Sequence, residues 1–156
     1  MKIVAIINPH AGSHDPEYIK LKLTQAFGHL KIKIYETIGN NVAVDLVQKA
    51  ILEKPDIIIA CGGDGTVSQV MQGIIGIDIP LGIVPAGTGN LLALNLGIPL
   101  NIDKSIKIIK KGKVAFTDIG VLNLRVFAWL DGCGFDAQVI NKTTREKKKL
   151  LGALAY

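Results

Sequence analysis

Cysteine is scarce in this chain. Cys61 and Cys133 are the only two among 156 residues, and they stand far apart without the paired spacing of zinc ligands. That excludes a zinc-ligand array and is the usage expected of a reduced, cytoplasmic protein. No apolar run is long enough to span a bilayer, and Met1-Lys2 leads directly into a strand-like segment rather than a signal peptide. Internal repeats and low-complexity segments are missing as well. No Gly-x-x-x-x-Gly-Lys-Ser/Thr occurs, which excludes a P-loop kinase, and no Gly-x-Gly-x-x-Gly opens the first helix, which argues against an ordinary Rossmann dehydrogenase.

What is present is aliphatic. Hydrophobic residues make up 49% of the chain and charged ones 20%, as in a globular protein. The mean hydropathy of +0.37 reflects the Ile, Leu and Val content that buried parallel strands require. A chain of this length can build one good core, or one domain and part of another. The net charge of +5 admits an anionic partner (a nucleotide, an anionic membrane or a nucleic acid) without choosing among them.

The chain alternates strand and helix signals. Lys2 to Ile7 reads as a buried strand ending at Asn8-Pro9, followed by the small polar turn His10-Ala11-Gly12-Ser13-His14. Asp15-Pro16-Glu17 is a helix start with an N-cap acid, a proline at the first helical position and a second acid in the first turn. Lys31 to Glu36 alternates lysine and isoleucine, so it is expected as a strand with one wet face, near a sheet edge. Val42 to Ile51 carries a helical apolar face, and Pro55 is expected to end that helix. Asp56 to Ala60 is the central strand, with a helix-like segment from Val67 to Ile75. Pro80 to Val84 is a further strand, and a short helix runs through Leu96. Asp103 is expected to cap a last helix that Gly112 terminates. Strands and helices at this spacing imply right-handed crossovers and an α/β domain, Rossmann-like and three-layered, around a parallel sheet. After Gly112 the pattern changes. Val114 to Val121, Leu124 to Leu130 and Phe135 to Ile140 are expected as strands without helices between them, the start of an antiparallel β domain. The division is therefore residues 1–112 and residues 113–156. The second part is too short to close a sandwich or barrel, so the chain is expected to be a fragment or a truncated product.

One stretch organises the rest, Cys61-Gly62-Gly63-Asp64-Gly65-Thr66. A buried strand, a glycine-rich turn and a helix start make a corner where backbone N–H groups point at an anion. Asp64 is the unusual member. A carboxylate beside phosphates is repelled unless a cation such as Mg²⁺ or a transferable proton lies between them. Ligands of parallel sheets bind beyond the carboxyl ends of the strands. Three turns fit that rule and should converge: Asn8 to Ser13, Gly62 to Thr66, and Ala86 to Asn90.

Asn8-Pro9-His10-Ala11-Gly12, Gly62-Gly63-Asp64-Gly65-Thr66 and Pro85-Ala86-Gly87-Thr88-Gly89-Asn90 resemble, in order and spacing, the diacylglycerol kinase catalytic domain family. Its members include bacterial soluble lipid kinases and sphingosine kinases, and it shares its architecture with NAD kinases. Gly134-Phe135-Asp136-Ala137 and Leu151 to Tyr156 are similar to further landmarks of the family. The resemblance implies an ATP-dependent lipid kinase that uses Mg²⁺, with ATP in the first domain and a lipid site completed by a β-sandwich. It implies nucleotide contacts from Asn8, Pro9, His10, Ala11, Gly12, Thr37, Gly62, Gly63, Asp64, Gly65, Thr66, Gly87, Thr88 and Asn90. It also implies a catalytic role for Asp64 and a metal-supporting role for Asp118. Ala11 replaces the usual serine, and Ser68-Gln69 departs from the common Asn-Glu. The expected partners are ATP and a lipid such as diacylglycerol at a membrane surface, with no nucleic acid. The expected location is cytoplasmic, peripheral to the membrane. An unfinished sheet leaves edges and apolar surface that invite association, so a homodimer is among the expected states. Two other readings stand beside this one. The first is a catalytically incomplete nucleotide-binding fragment or interaction module; the second is an NAD kinase-like phosphotransferase.

Overall fold

The uninterrupted apolar strands are buried on both faces. In the computed structural model, which describes residues 1–12, 14–38, 42–122 and 125–128, four strands form one parallel sheet. They are β1 (Lys2–Ile7), β2 (Lys31–Glu36), β3 (Ile57–Gly62) and β4 (Leu81–Pro85), in the order β2-β1-β3-β4. Ile3, Ala5 and Ile7 of β1, with Ile59 and Cys61 of β3, pack on helices α1 (Pro16–Phe27) and α5 (Ile102–Lys110). Val4 and Ile6, with Ile58 and Ala60, pack on α2 (Val42–Leu52) and α3 (Asp64–Ile74). Successive residues of a strand point to opposite faces, so a strand sandwiched between helices has no polar position to spare. The result is the three-layer α/β domain expected. β2, with its exposed Lys31 and Lys33, is an edge strand, and lysine is one of the residues that keep an edge from pairing further.

Helix ends follow their local chemistry. The Asp15 side chain accepts from the Glu17 N–H at 3.0 Å and Pro16 opens α1. The cap of α5 is Asn101, not Asp103. Asn101 has the extended backbone a cap needs, and its Oδ1 accepts from the Lys104 N–H at 3.0 Å. Asp103 lies one residue inside the helix, where its carboxylate takes the Tyr18 hydroxyl and the Lys22 ammonium, both at 2.8 Å, and so ties α5 to α1. The lysine beside it holds the Asp103 carboxyl below its ordinary range. Gly112 has the left-handed φ of 67° expected just past the helix end. α3 begins at Asp64, three residues before the apolar periodicity, because Gly63 is extended and its carbonyl accepts from both Thr66 and Val67.

α2 and α3 touch where α3 has a glycine. A Cβ on Gly73 would lie 2.7 Å from Cβ and Cγ1 of Val47, the rigid stem of that side chain. We expect Gly73→Ala to destabilise the fold by about 1–2 kcal/mol, overpacking outweighing the helix propensity of alanine. A Tm that holds or rises in thermal melts would show that the helices part without cost.

Beyond α5, β5 (Gly120–Leu122) and β6 (Arg125–Phe127) form an antiparallel pair. The strand expected over Val114 to Val121 is therefore confined to its end. Residues 113–119 have no pairing partner among the described residues, and an unpaired extended segment is not a strand. Of Leu124 to Leu130, only Arg125 to Phe127 pair; Leu124, Trp129 and Leu130 lie outside the described residues, as does the strand expected over Phe135 to Ile140. β6 is anchored to the main domain by the Val126 N–H, which donates to Gln72 Oε1 on α3 at 3.0 Å.

Candidate functional site

Strand order locates the crevice. From β1 the chain crosses to β2 on one side, and from β3 it crosses to β4 on the other. The carboxyl ends of β1 and β3 are therefore the switch point, where loops leave in opposite directions and open a cleft. The turns after those two strands are Asn8 to Gly12 and Gly62 to Thr66. The turn after β4, Ala86 to Asn90, joins them.

These turns are locked together mainly by backbone. A Cβ on Gly87 would fall 2.3 Å from the Cα of Gly63, so the second and third turns meet with no room for a side chain. A Cβ on Gly12, whose φ is 59°, would fall 2.2 Å from the Ala86 carbonyl oxygen, which joins the first turn to the third. The Asn8 side-chain amide donates to Thr66 Oγ1 at 3.1 Å, closing first to second. That position for Thr66 needs Gly62 bare, since a Cβ there would lie 2.5 Å from the same hydroxyl. Backbone bonds continue the sheet into the turns: Asn8 N–H donates to the Cys61 carbonyl and Ala86 N–H to the Gly62 carbonyl, both at 2.9 Å.

Each loop also sets its own shape. Asn8 Oδ1 accepts from the His10 N–H at 3.0 Å, a side-chain turn that leaves His10 exposed. Asn90 is buried in the left-handed region at φ 53°, and its amide both donates to the Gly87 carbonyl and accepts the Gly87 N–H. Asn90 therefore closes the loop that displays Thr88, which is exposed. Asp64, half-buried in the first turn of α3, accepts from the Leu92 N–H at 3.2 Å, at the start of α4 (Leu91–Asn95). It thus spans the second and third turns.

Gly65 is the exception among these glycines. Its backbone is not left-handed, and a Cβ there meets no atom within 4 Å. Neither conformation nor packing requires glycine at this exposed position. It stands in the first turn of α3, whose leading N–H groups have no acceptor within the helix and carry its positive end. The Thr66 N–H is already directed to the Gly63 carbonyl at 3.0 Å, so the donors this turn could offer a ligand precede it. The space in front of Gly65 suits an anion approaching the backbone closely. Cys61 takes no part in chemistry: it is fully buried, and burial pushes its thiol up, away from the reactive thiolate.

The family description Diacylglycerol kinase catalytic domain matches residues 2–122, a span that holds all three turns. The chain belongs to this family. It is 35% identical over 162 residues to a diacylglycerol kinase of Staphylococcus aureus, covering 97% of this chain and 49% of that one. It is 30% identical over 152 residues to a diacylglycerol kinase of Mycobacterium tuberculosis, covering 92% of this chain and 49% of that one. The crystal structure of a diacylglycerol kinase from Bacillus anthracis superposes with a TM-score of 0.71 at 34% identity, covering 81% of this chain and 45% of that one. The chain spans about half the length of these relatives.

Among the remaining residues that likeness to the diacylglycerol kinase family implicates, Thr37 is buried at the end of β2. Its N–H donates to the Ile7 carbonyl at 2.9 Å, one residue from Asn8. Pro9 and Ala11 are half-buried within the first turn, and the Ala11 N–H returns to the Asn8 carbonyl at 3.1 Å. Asp118 is exposed in the segment without regular structure before β5, and among the described residues it forms no hydrogen bond or ion pair with the three turns. No group of three His, Cys, Asp or Glu side chains converges among the described residues. The contacts of the Ala86 carbonyl and the Leu92 N–H were not foreseeable from residue types, because both are backbone groups. No helix among the described residues is long and apolar enough to cross a membrane.

Proposed function

We propose that this chain binds ATP across the three turns and serves transfer of its terminal phosphoryl group to a lipid hydroxyl. One observation carries the reading: glycine contacts weld three backbone turns into a rigid cradle, while Gly65 alone is left facing open space at a helix start. Phosphoryl transfer depends on positioning and charge neutralisation rather than on covalent chemistry, and a rigid cradle of N–H donors supplies both. The N–H groups at the head of α3, that of Gly65 foremost, hold phosphate oxygens. Asn8 and Thr66 fix the floor of the cradle, and Thr88 extends from the third turn toward the nucleotide.

Mg²⁺ fits the donor set in its usual form, in which one or two carboxylates share the ion with substrate phosphates. Asp64 would hold it, with Asp118 contributing from beyond the first domain, and when bound it neutralises phosphate charge. In the alternative role, Asp64 accepts a proton from an acceptor hydroxyl instead of holding the ion, since a carboxylate bound to Mg²⁺ is a poor base. In this reading residues 1–112 form the nucleotide half and residues 113–156 begin the lipid half. The lipid acceptor is favoured over NAD by the exposed Leu91, Leu94 and Leu96 that follow the third turn. An apolar rim at the mouth of a phosphate cleft matches an acceptor with acyl chains.

Incubation with radiolabelled ATP and diacylglycerol in mixed micelles, with NAD as the competing acceptor, tests the assignment. Label is expected in phosphatidate. Label in NADP overturns the lipid acceptor, and ATP binding without transfer to either assigns a nucleotide-binding module alone.

A further inference from the structure

At the opposite end of the sheet, where the strands begin, the surface holds a second concavity. It is an open depression of about 540 Å³, lined by Lys2, His29, Leu30, Lys31, Lys54 and Asp56 beside the chain's amino group. β1 separates it from the three turns, and six strand residues at about 3.3 Å each make roughly 20 Å. It is therefore a different place from the nucleotide cleft.

Its lysines differ from those nearby. Lys20 pairs with Glu17 and Glu36, Lys22 with Asp103, and Lys33 with Glu53. Among the described residues, Lys31 and Lys54 have no carboxylate partner, while Lys2 Nζ donates to the Glu53 carbonyl at 3.2 Å and lies close enough to the Glu53 carboxylate to help stabilise its charged form. The single acid of the cavity, Asp56, is engaged by the Lys2 N–H at 2.6 Å and lies 3.9 Å from the amino terminus. Three lysine side chains against one carboxylate leave a surplus of two positive charges in a concave site.

Lys54 adds an independent sign. Its φ of 50° lies in the left-handed region just past α2, a position where glycine or asparagine is at ease and lysine is strained. Its N–H donates to the Ile51 carbonyl at 2.9 Å, which holds the turn in place. Complementing the negative end of α2 does not require lysine here, because Lys49 already sits in the last turn. A strained backbone that presents an unpaired cation to a cavity is a mark of use rather than of folding.

We infer that this cavity binds a small phosphate-bearing anion. Lysine ammoniums act as compact point charges suited to phosphate, whereas carboxylate recognition favours the planar fork of arginine, which the cavity lacks. The phosphate belongs either to a free compound or to a lipid headgroup. The inference does not depend on the nucleotide reading.

Backbone-amide NMR with pyrophosphate, and separately with phosphatidylglycerol vesicles, tests it on the intact chain. Pyrophosphate is expected to shift the amides of Lys31, Lys54 and Asp56 and to bind at least tenfold more weakly to the Lys31→Gln/Lys54→Gln variant. Lys54→Gly is expected to raise the Tm of the free protein by roughly 2–4 °C while losing the pyrophosphate response. That pairing separates a binding role from a structural one. A response to vesicles alone, with the same lysine dependence, assigns the phosphate to a lipid headgroup. Shifts confined to Gly62–Thr66, affinities within twofold in both variants, or no response to either probe would overturn the site. Shifts confined to Gly62–Thr66 would overturn this site while supporting phosphate binding at the turns, so the failure of one reading is distinguishable from the failure of the other.

Discussion

Replacing Gly65 with alanine is expected to stabilise the protein and to cripple nucleotide binding at the same time. The added methyl meets no protein atom within 4 Å, and the backbone there is not left-handed, so folding incurs no penalty. Alanine in the first turn of α3 restricts the unfolded chain and favours the helix, a gain of about 0.5 kcal/mol. The same methyl occupies the space through which a phosphate would reach the N–H groups of that turn. ATP affinity should fall at least tenfold by calorimetry while the Tm holds or rises. Gly87→Ala makes the contrast. Its Cβ would strike the Gly63 backbone at 2.3 Å, so Tm and affinity should fall together. Undiminished ATP binding by the Gly65→Ala chain would remove the main support for the site.

The second large effect is expected at Asp64, where charge and structure can be separated. Asparagine keeps an oxygen to accept the Leu92 N–H, whereas alanine leaves that donor without its side-chain partner. Asp64→Asn should stay within about 0.5 kcal/mol of the parent in stability, and Asp64→Ala should lose about 1 kcal/mol. Both should lower phosphoryl transfer by roughly 10²–10³, the scale on which single electrostatic groups act at such sites. A second readout needs no turnover: the gain in ATP affinity on adding Mg²⁺ should collapse in both variants. If the asparagine variant transfers phosphate normally, the carboxylate is only a brace between the second and third turns.

How much of this was legible follows from where the information resides. The Ile-rich runs of β1 and β3 declared burial on both faces, and Asp15-Pro16 announced α1, because those signals are local and carried by side chains. Asp103 misled because an acid near a helix start is correct for the first turn as well as for the cap. Only the backbone of Asn101 decides between them. Convergence of the three turns was expected from topology, but their means of attachment was not. The contacts of Gly63 with Gly87 and of Gly12 with Ala86 join atoms that every residue possesses. For the same reason Gly65 could not be told from its neighbours until the surrounding atoms were placed. No residue type marks Lys54, since nothing in its neighbours encodes a left-handed φ. Strand propensity over residues 114–119 was read as a strand although pairing, which propensity does not encode, decides that outcome.

The strand order has a consequence for how the molecule is made. β1 lies between β2 and β3, and its register with β3 joins Ile3 to Ile57 across more than fifty residues. The β1–α1–β2 unit can therefore close early, but it leaves one edge of β1 bare until β3 arrives. The cradle needs β4 and Leu92 besides. Closure of such distant pairs is slow relative to helix formation. A phosphate ligand consequently cannot nucleate this fold; it can only lock one already complete, slowing its opening and adding stability that grows with ligand concentration. On the proposed reading of the turns, nucleotide supply during synthesis would then determine how long finished chains persist, not how fast they form.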